Sequence, residues 1–153
     1  MKGSEALASL SRDQSPCAGG RPEASPRERP DRPEARDAFL AYWTGHGRQH
    51  LRLEEELLFP AYAAYGDPHD PLVLRTLGQH VMIRHRAAAF ADGGTVLPAF
   101  LEQLGAELAA HVRLEEREVF PLIERVMPTR ELEAVAEQLE EARLMRSGQP
   151  ANE

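Results

Sequence analysis

His50-Leu51-Arg52-Leu53-Glu54-Glu55-Glu56-Leu57-Leu58-Phe59-Pro60 returns later in the chain as His111-Val112-Arg113-Leu114-Glu115-Glu116-Arg117-Glu118-Val119-Phe120-Pro121. Both copies fit H-x-R-L-E-E-x-x-x-F-P, and each sits in a strongly helical stretch. A histidine and a glutamate four residues apart lie on one helix face, with Cβ atoms about 6 Å apart. Each copy therefore points an imidazole and a carboxylate the same way. If that direction is the interior of a bundle, the two copies bring their polar groups together.

Working outward, the helical period extends well beyond the repeats. Before the first copy come Phe39, Leu40 and Trp43; after it the pattern runs to Tyr65, with Gly66 as a stop. This spacing predicts a helix from about Pro33 to Tyr65, bent near Gly45 and Gly47 and kinked at Pro60. Asp70-Pro71 reads as a cap followed by a first-turn proline. The helix it opens carries Leu72, Leu74, Leu77, His80, Val81, Ile83 and Phe90 before Gly93-Gly94. Thr95 is the expected cap of a third helix through Phe100, Leu104, Leu108 and the second repeat to about Met127. Pro128-Thr129 opens a fourth, from Arg130 to about Arg146, with Leu132, Val135, Ala136, Leu139 and Leu144 as its apolar stripe. No window alternates as a strand does. Long helices on short links pack as antiparallel neighbours, so the expected class is an all-α, up-down antiparallel helix bundle.

The two ends read differently. Ser4 to Arg12 fits two helical turns with Leu7 and Leu10 on one face. From Gln14 to Pro33 there are five prolines and no Leu, Ile, Val or aromatic residue. Such a segment buries too little apolar surface to offset its ordering entropy. The expected organisation is a poorly ordered segment over 1–33, a bundle over 34–146 and a flexible tail over 147–153.

Composition narrows the function. The chain has 153 residues, 42% of them hydrophobic, and a formal net charge of −7. That balance, with no basic cluster, disfavours nonspecific binding to nucleic acid or anionic membrane. Cys17 is the single cysteine, which excludes an internal disulfide and a multi-thiolate metal site. No apolar run follows Lys2 and no stretch is long enough for a membrane span, so a cytoplasmic placement is the expectation.

His50 and Glu54 lie on the first long helix, with His46 one turn earlier on the same nominal face. His111 and Glu115 repeat the pair on the third helix, and His80 lies on the apolar face of the helix between. Glu118 falls where Leu57 lies in the other copy, which makes it a candidate spare ligand or hydrogen-bond acceptor. Glu55 and Glu116 are about 100° round the helix and face solvent or an outer partner. Two carboxylates and three imidazoles buried without a partner cost several kcal/mol per unpaired charge, roughly, and a bound cation removes that cost. A buried polar network or a wetter helix face is the alternative. Imidazole with carboxylate and no thiolate suits Fe, Mn or Zn, and paired glutamates on facing helices can each bridge two cations.

From about Asp37 to Met127 the doubled motif, its E-E and F-P flanks and the intervening Gln79-His80-Val81-Met82-Ile83-Arg84 resemble the hemerythrin-like, HHE cation-binding family. The resemblance implies an up-down four-helix bundle around a dinuclear non-heme iron site, with Mn or Zn as lesser candidates. It implies His50, His80 and His111 as terminal ligands and Glu54 and Glu115 as bridges. The partners it implies are metal ions and a small diatomic or peroxide ligand, used in O₂ binding, sensing, nitric oxide or peroxide handling, or iron storage. An iron- or redox-sensing module without turnover is the competing reading. One departure is evident: the family's first helix supplies a further histidine, and here no histidine precedes His46. That first helix reads as degraded, so the fourth face of the site is expected to be open or to be taken over by His46 or the C-terminal helix.

Overall fold

The computed structural model describes residues 7, 32–91 and 98–147, and among these the chain is helical with no strand. The expected segment over 1–33 and the tail over 147–153 lie almost wholly outside the described residues, as do Gly93, Gly94 and Thr95. Four helices form the described bundle. Helix α1 covers residues 32–63, α2 is Pro71–Ala91, α3 covers residues 98–126 and α4 is Thr129–Ser147. Asp70 caps α2 as its sequence requires: its Oδ1 accepts the Leu72 N–H at 2.8 Å.

Helices α1 and α3 are not regular. Three π turns interrupt them, over Trp43–Gly47, Glu54–Leu58 and Glu115–Val119. The last two begin on the glutamate of each repeat and end just before its Phe-Pro. In each, the phenylalanine N–H donates five residues back, Phe59 to the Glu54 carbonyl and Phe120 to that of Glu115. The prolines explain the placement. Pro60 and Pro121 have no N–H to give to the carbonyl four residues earlier, and their rings crowd it. One extra residue in the preceding turn relieves that conflict without ending the helix. The kink expected at Pro60 is thus a π turn, and it occurs in both repeats.

Each π turn also shifts the helix face by one position. In an unbroken helix Leu57 and Ala61 continue the inward stripe from Leu53. In the structure those two are half-buried, while Leu58, Phe59 and Tyr62 are buried. On α3 the same shift buries Val119, Phe120 and Ile123.

The core has two apolar parts. One gathers Trp43, Leu51, Ile83, Ala87, Phe90, Leu104 and Leu108. The larger contains Leu53, Leu58, Phe59, Tyr62, Leu114, Phe120, Ile123, the inward leucines of α4, and Leu7. Along α1, α2 and α3 alike, the buried polar residues fall where one part gives way to the other. Helix α4 joins only the larger part, through Leu132, Val135 and Leu139, and Gln49 of α1 donates to its Ala142 carbonyl at 3.2 Å.

Gly66 lies in the turn that follows α1 for a reason of space. A Cβ there would lie 2.4 to 2.6 Å from the ring and hydroxyl of Tyr62, which is only 1% exposed. Gly66→Ala must push that ring out of its packing, so it is expected to destabilise the fold by about 1–3 kcal/mol. Urea unfolding checks this; an unchanged midpoint would show that Tyr62 has room to move.

Candidate metal centre

Six polar or charged side chains are buried among the described residues: His50, Glu54, Thr76, His80, His111 and Glu115. Thr76 is satisfied locally, its hydroxyl donating to the Leu72 carbonyl at 2.9 Å. The other five are the histidines and glutamates of the two repeats and of α2. The structure brings them to one place. His50 Nε2 lies 3.2 Å from Glu54 Oε1, and His80 Nε2 lies 3.3 Å from Glu54 Oε2. His111 Nε2 is 2.9 Å and His80 Nε2 3.6 Å from Glu115 Oε1. Glu54, His80, His111 and Glu115 each offer a ligand atom, all within 4.8 Å of one another.

These atoms suit a cation. Both oxygens of Glu54, His80 Nε2 and His111 Nε2 are buried and make no well-directed hydrogen bond. Lone pairs converging in a dry interior without donors are costly unless a positive charge sits among them. Without a metal, the neighbouring carboxylates favour the charged forms of His80 and His50 instead. Burial alone would push the His80 imidazole down, yet Glu115 and Glu54 raise its pKa to about 10. Burial likewise opposes the charged forms of His50 and Glu54, but their attraction prevails, raising His50 and holding the Glu54 carboxyl well below the usual range. A cation binding here displaces those protons.

Two imidazoles are held from behind. His80 Nδ1 meets Glu55 Oε1 at 2.8 Å, and the same oxygen accepts from Arg84 Nη1 at 2.7 Å. Burial would raise the Glu55 carboxyl, but Arg84 and His80 hold it low. On α3, His111 Nδ1 lies 3.1 Å from Gln79 Oε1. With Nδ1 donating outward, each ring turns Nε2 to the interior, the arrangement by which outer partners orient metal-bound histidines. Phe59 closes one side of His80, with ring centroids 6.1 Å apart, and His80 meets His111 edge to face at 4.8 Å.

His46 and Glu118 are not in this group. Both are exposed, and the π turns explain why. In a regular helix His46 shares the face of His50, and Glu118 that of His111 and Glu115. The turn over Trp43–Gly47 places Trp43 and Gly47 inward and His46 outward, while the turn over Glu115–Val119 places Val119 inward and Glu118 outward. His46 thus lies outside this group, and the buried residues that α4 presents to the core are Leu132, Val135 and Leu139.

The outer partners were less legible. Glu55 is expected beside either solvent or an outer partner, and the structure selects the partner; Gln79 and Arg84 carry no role in the sequence reading. A signal for Arg84 did exist. It lies four residues after His80, so both face α1 and one carboxylate can meet both. Glu55→Gln should leave the fold intact but weaken metal binding by about 10–100-fold, the usual effect of losing such a partner. Competition against a chelator of known affinity measures this, and undiminished affinity would mean that the contact orients nothing.

The hemerythrin HHE cation-binding domain matches residues 6–123 of the chain. The chain belongs to this family. No curated protein and no solved structure matches it. The hemerythrin assignment and the buried His/Glu group together point to a bound metal cation. Among the described residues no helix is long and apolar enough to cross a membrane.

Proposed function

We propose that this chain is a cytoplasmic non-heme iron protein, dinuclear when fully loaded, that binds or reacts with O₂ or a related small ligand such as nitric oxide or peroxide. The observation that carries the reading is the donor set: three imidazoles and two carboxylates, each no more than 4% exposed, held between apolar cluster and apolar cluster. The imidazoles of His50, His80 and His111 and the carboxylates of Glu54 and Glu115 would hold the metal. Mixed imidazole and carboxylate favours iron over soft metals, with Mn or Zn the lesser candidates. Bound iron supplies electron transfer to the small ligand; the chain supplies orientation and a dry enclosure. Five side chains would leave a bound metal accessible to a small added ligand, more than a storage cage requires.

A second reading, an iron- or redox-sensing module without turnover, draws on the exposed acidic face of α4, where Glu133, Glu137, Glu140 and Glu141 offer a surface to a partner. Iron analysis and the visible spectrum separate the two. The purified protein, reduced without oxygen and then exposed to air, is expected to contain iron and gain an absorption band that reduction bleaches. Iron with no spectral response to air or nitric oxide supports the sensing module instead. A chain that retains no iron after anaerobic reconstitution defeats both.

A further inference from the structure

A second concavity lies outside the metal centre, in the groove between α2 and α3. Its volume is about 480 Å³ and its lining is largely apolar. Small-molecule sites occupy roughly 300–1,000 Å³. The hollow has a cause in the sequence: Gly78 of α2 and Ala110 of α3 both line it and fill little space. A Cβ at Gly78 would meet nothing within 4 Å. Glycine weakens a helix interior relative to alanine, and no close neighbour requires it here. Ile83 closes the floor, only 1% exposed, while Met82 lines the mouth at 49% exposed. Its unbranched thioether adapts readily to apolar shapes.

The two ends of the hollow differ in charge. At one end Glu107 is already matched: its Oε2 lies 2.7 Å from Nε of Arg86, which also lies over the Phe100 ring. At the other end is Arg75, exposed and in no ion pair among the described residues. The chain has 25 acidic residues, yet none of those described meets this guanidinium. Its planar fork is therefore open to a carboxylate from outside.

We propose that this hollow binds a small straight-chain carboxylate. The carboxylate pairs with Arg75, and the chain lies past Gly78 and Ala110 to Met82. From Arg75 to Met82 the helix rises about 10 Å, which suits a chain of medium length such as octanoate. The site does not depend on the cation-binding reading and stands without it. One side chain belongs to both places: Gln79 lines the hollow, and its Oε1 faces His111 Nδ1 at 3.1 Å.

The test is a calorimetric titration of the full-length chain with octanoate, with octanol as the uncharged control. Saturable binding of one octanoate per chain is expected. Losing a charge-assisted contact weakens binding by about tenfold or more, so Arg75→Gln should lower octanoate affinity by that factor. Octanol should bind the unaltered chain about tenfold more weakly than octanoate does, and should bind Arg75→Gln equally well. Gly78→Phe, which puts a ring into the open space, should abolish binding of both. Ala110→Leu fills the hollow from α3 and serves if circular dichroism shows Gly78→Phe to be unfolded. Three results would overturn the proposal: no saturable octanoate binding, binding that survives in both folded filled variants, or an affinity that ignores Arg75→Gln. Light scattering adds a fourth. A dimer of the unaltered chain that Gly78→Phe or Ala110→Leu dissociates would assign the hollow to a second copy instead.

Discussion

Glu54→Gln is expected to remove metal binding and to weaken the metal-free fold, the largest effect of any single substitution in this chain. Glu54 is fully buried, and its two oxygens face His50 on one side and His80 on the other. The amide keeps the shape but carries no negative charge. A cation loses a charged ligand on both sides at once, so affinity should fall on the order of a hundredfold or more, beyond what loss of an outer partner costs. The metal-free protein loses the counter-charge that favours the charged imidazole of His50 and that, with Glu115, favours that of His80. Breaking a buried pair from one side costs about 3–5 kcal/mol. Calorimetric Fe(II) titration and urea unfolding of the metal-free variant measure the two effects. Glu118→Gln, two residues after the Glu115-Glu116 pair of the second repeat but exposed, is expected to change neither. If Glu54→Gln bound Fe(II) within a few-fold of the parent chain, the converging oxygens of Glu54 would not be metal ligands.

Metal binding is expected to raise thermal stability by roughly 10 °C. The unfolded chain cannot bring α1, α2 and α3 together, so a cation bound at the centre stabilises the folded form alone. Free ion at a thousandfold above its dissociation constant contributes about 4 kcal/mol. For a domain of this size each kcal/mol moves the midpoint by about 2–4 °C. Thermal unfolding of the reconstituted protein, followed by circular dichroism with and without a chelator, checks both the rise and its reversal. Equal midpoints in the two conditions would mean that no cation holds the helices together.

Much of this was legible in the chain itself, because the signals are local. Asp70 and Pro71 start a helix from their own chemistry, and Leu132, Val135 and Leu139 mark the inward side of α4, while Leu144, expected on the same stripe, lies exposed past the end of that contact. The His-to-Glu spacing of four places each imidazole beside its own carboxylate, His50 with Glu54 and His111 with Glu115. The doubled motif on two helices, with a histidine on a third, was enough to anticipate a shared interior.

Register was the part that local pattern read poorly. Counting in steps of 3.6 put His46 and Glu118 on the inward face, but that count holds only while the helix stays regular. Proline after the phenylalanine made a break foreseeable at Pro60. It did not reveal that the break takes the form of an added residue, which moves every later side chain round by one position.

The sequence by itself determined four helical segments, an inward polar set that contains the five buried residues along with the exposed His46 and Glu118, and a donor chemistry of imidazole and carboxylate, all consequences of spacing and residue type. Only the tertiary structure decided which side chains meet across helices. That Glu55 turns to His80 and Arg84, while Glu116 in the equivalent place is exposed, depends on what α2 presents to α1. That His80 sits between Glu54 and Glu115, 3.3 and 3.6 Å from them, depends on how three helices lie together. No spacing along a single helix encodes either distance, since each is set by packing between residues far apart in the chain.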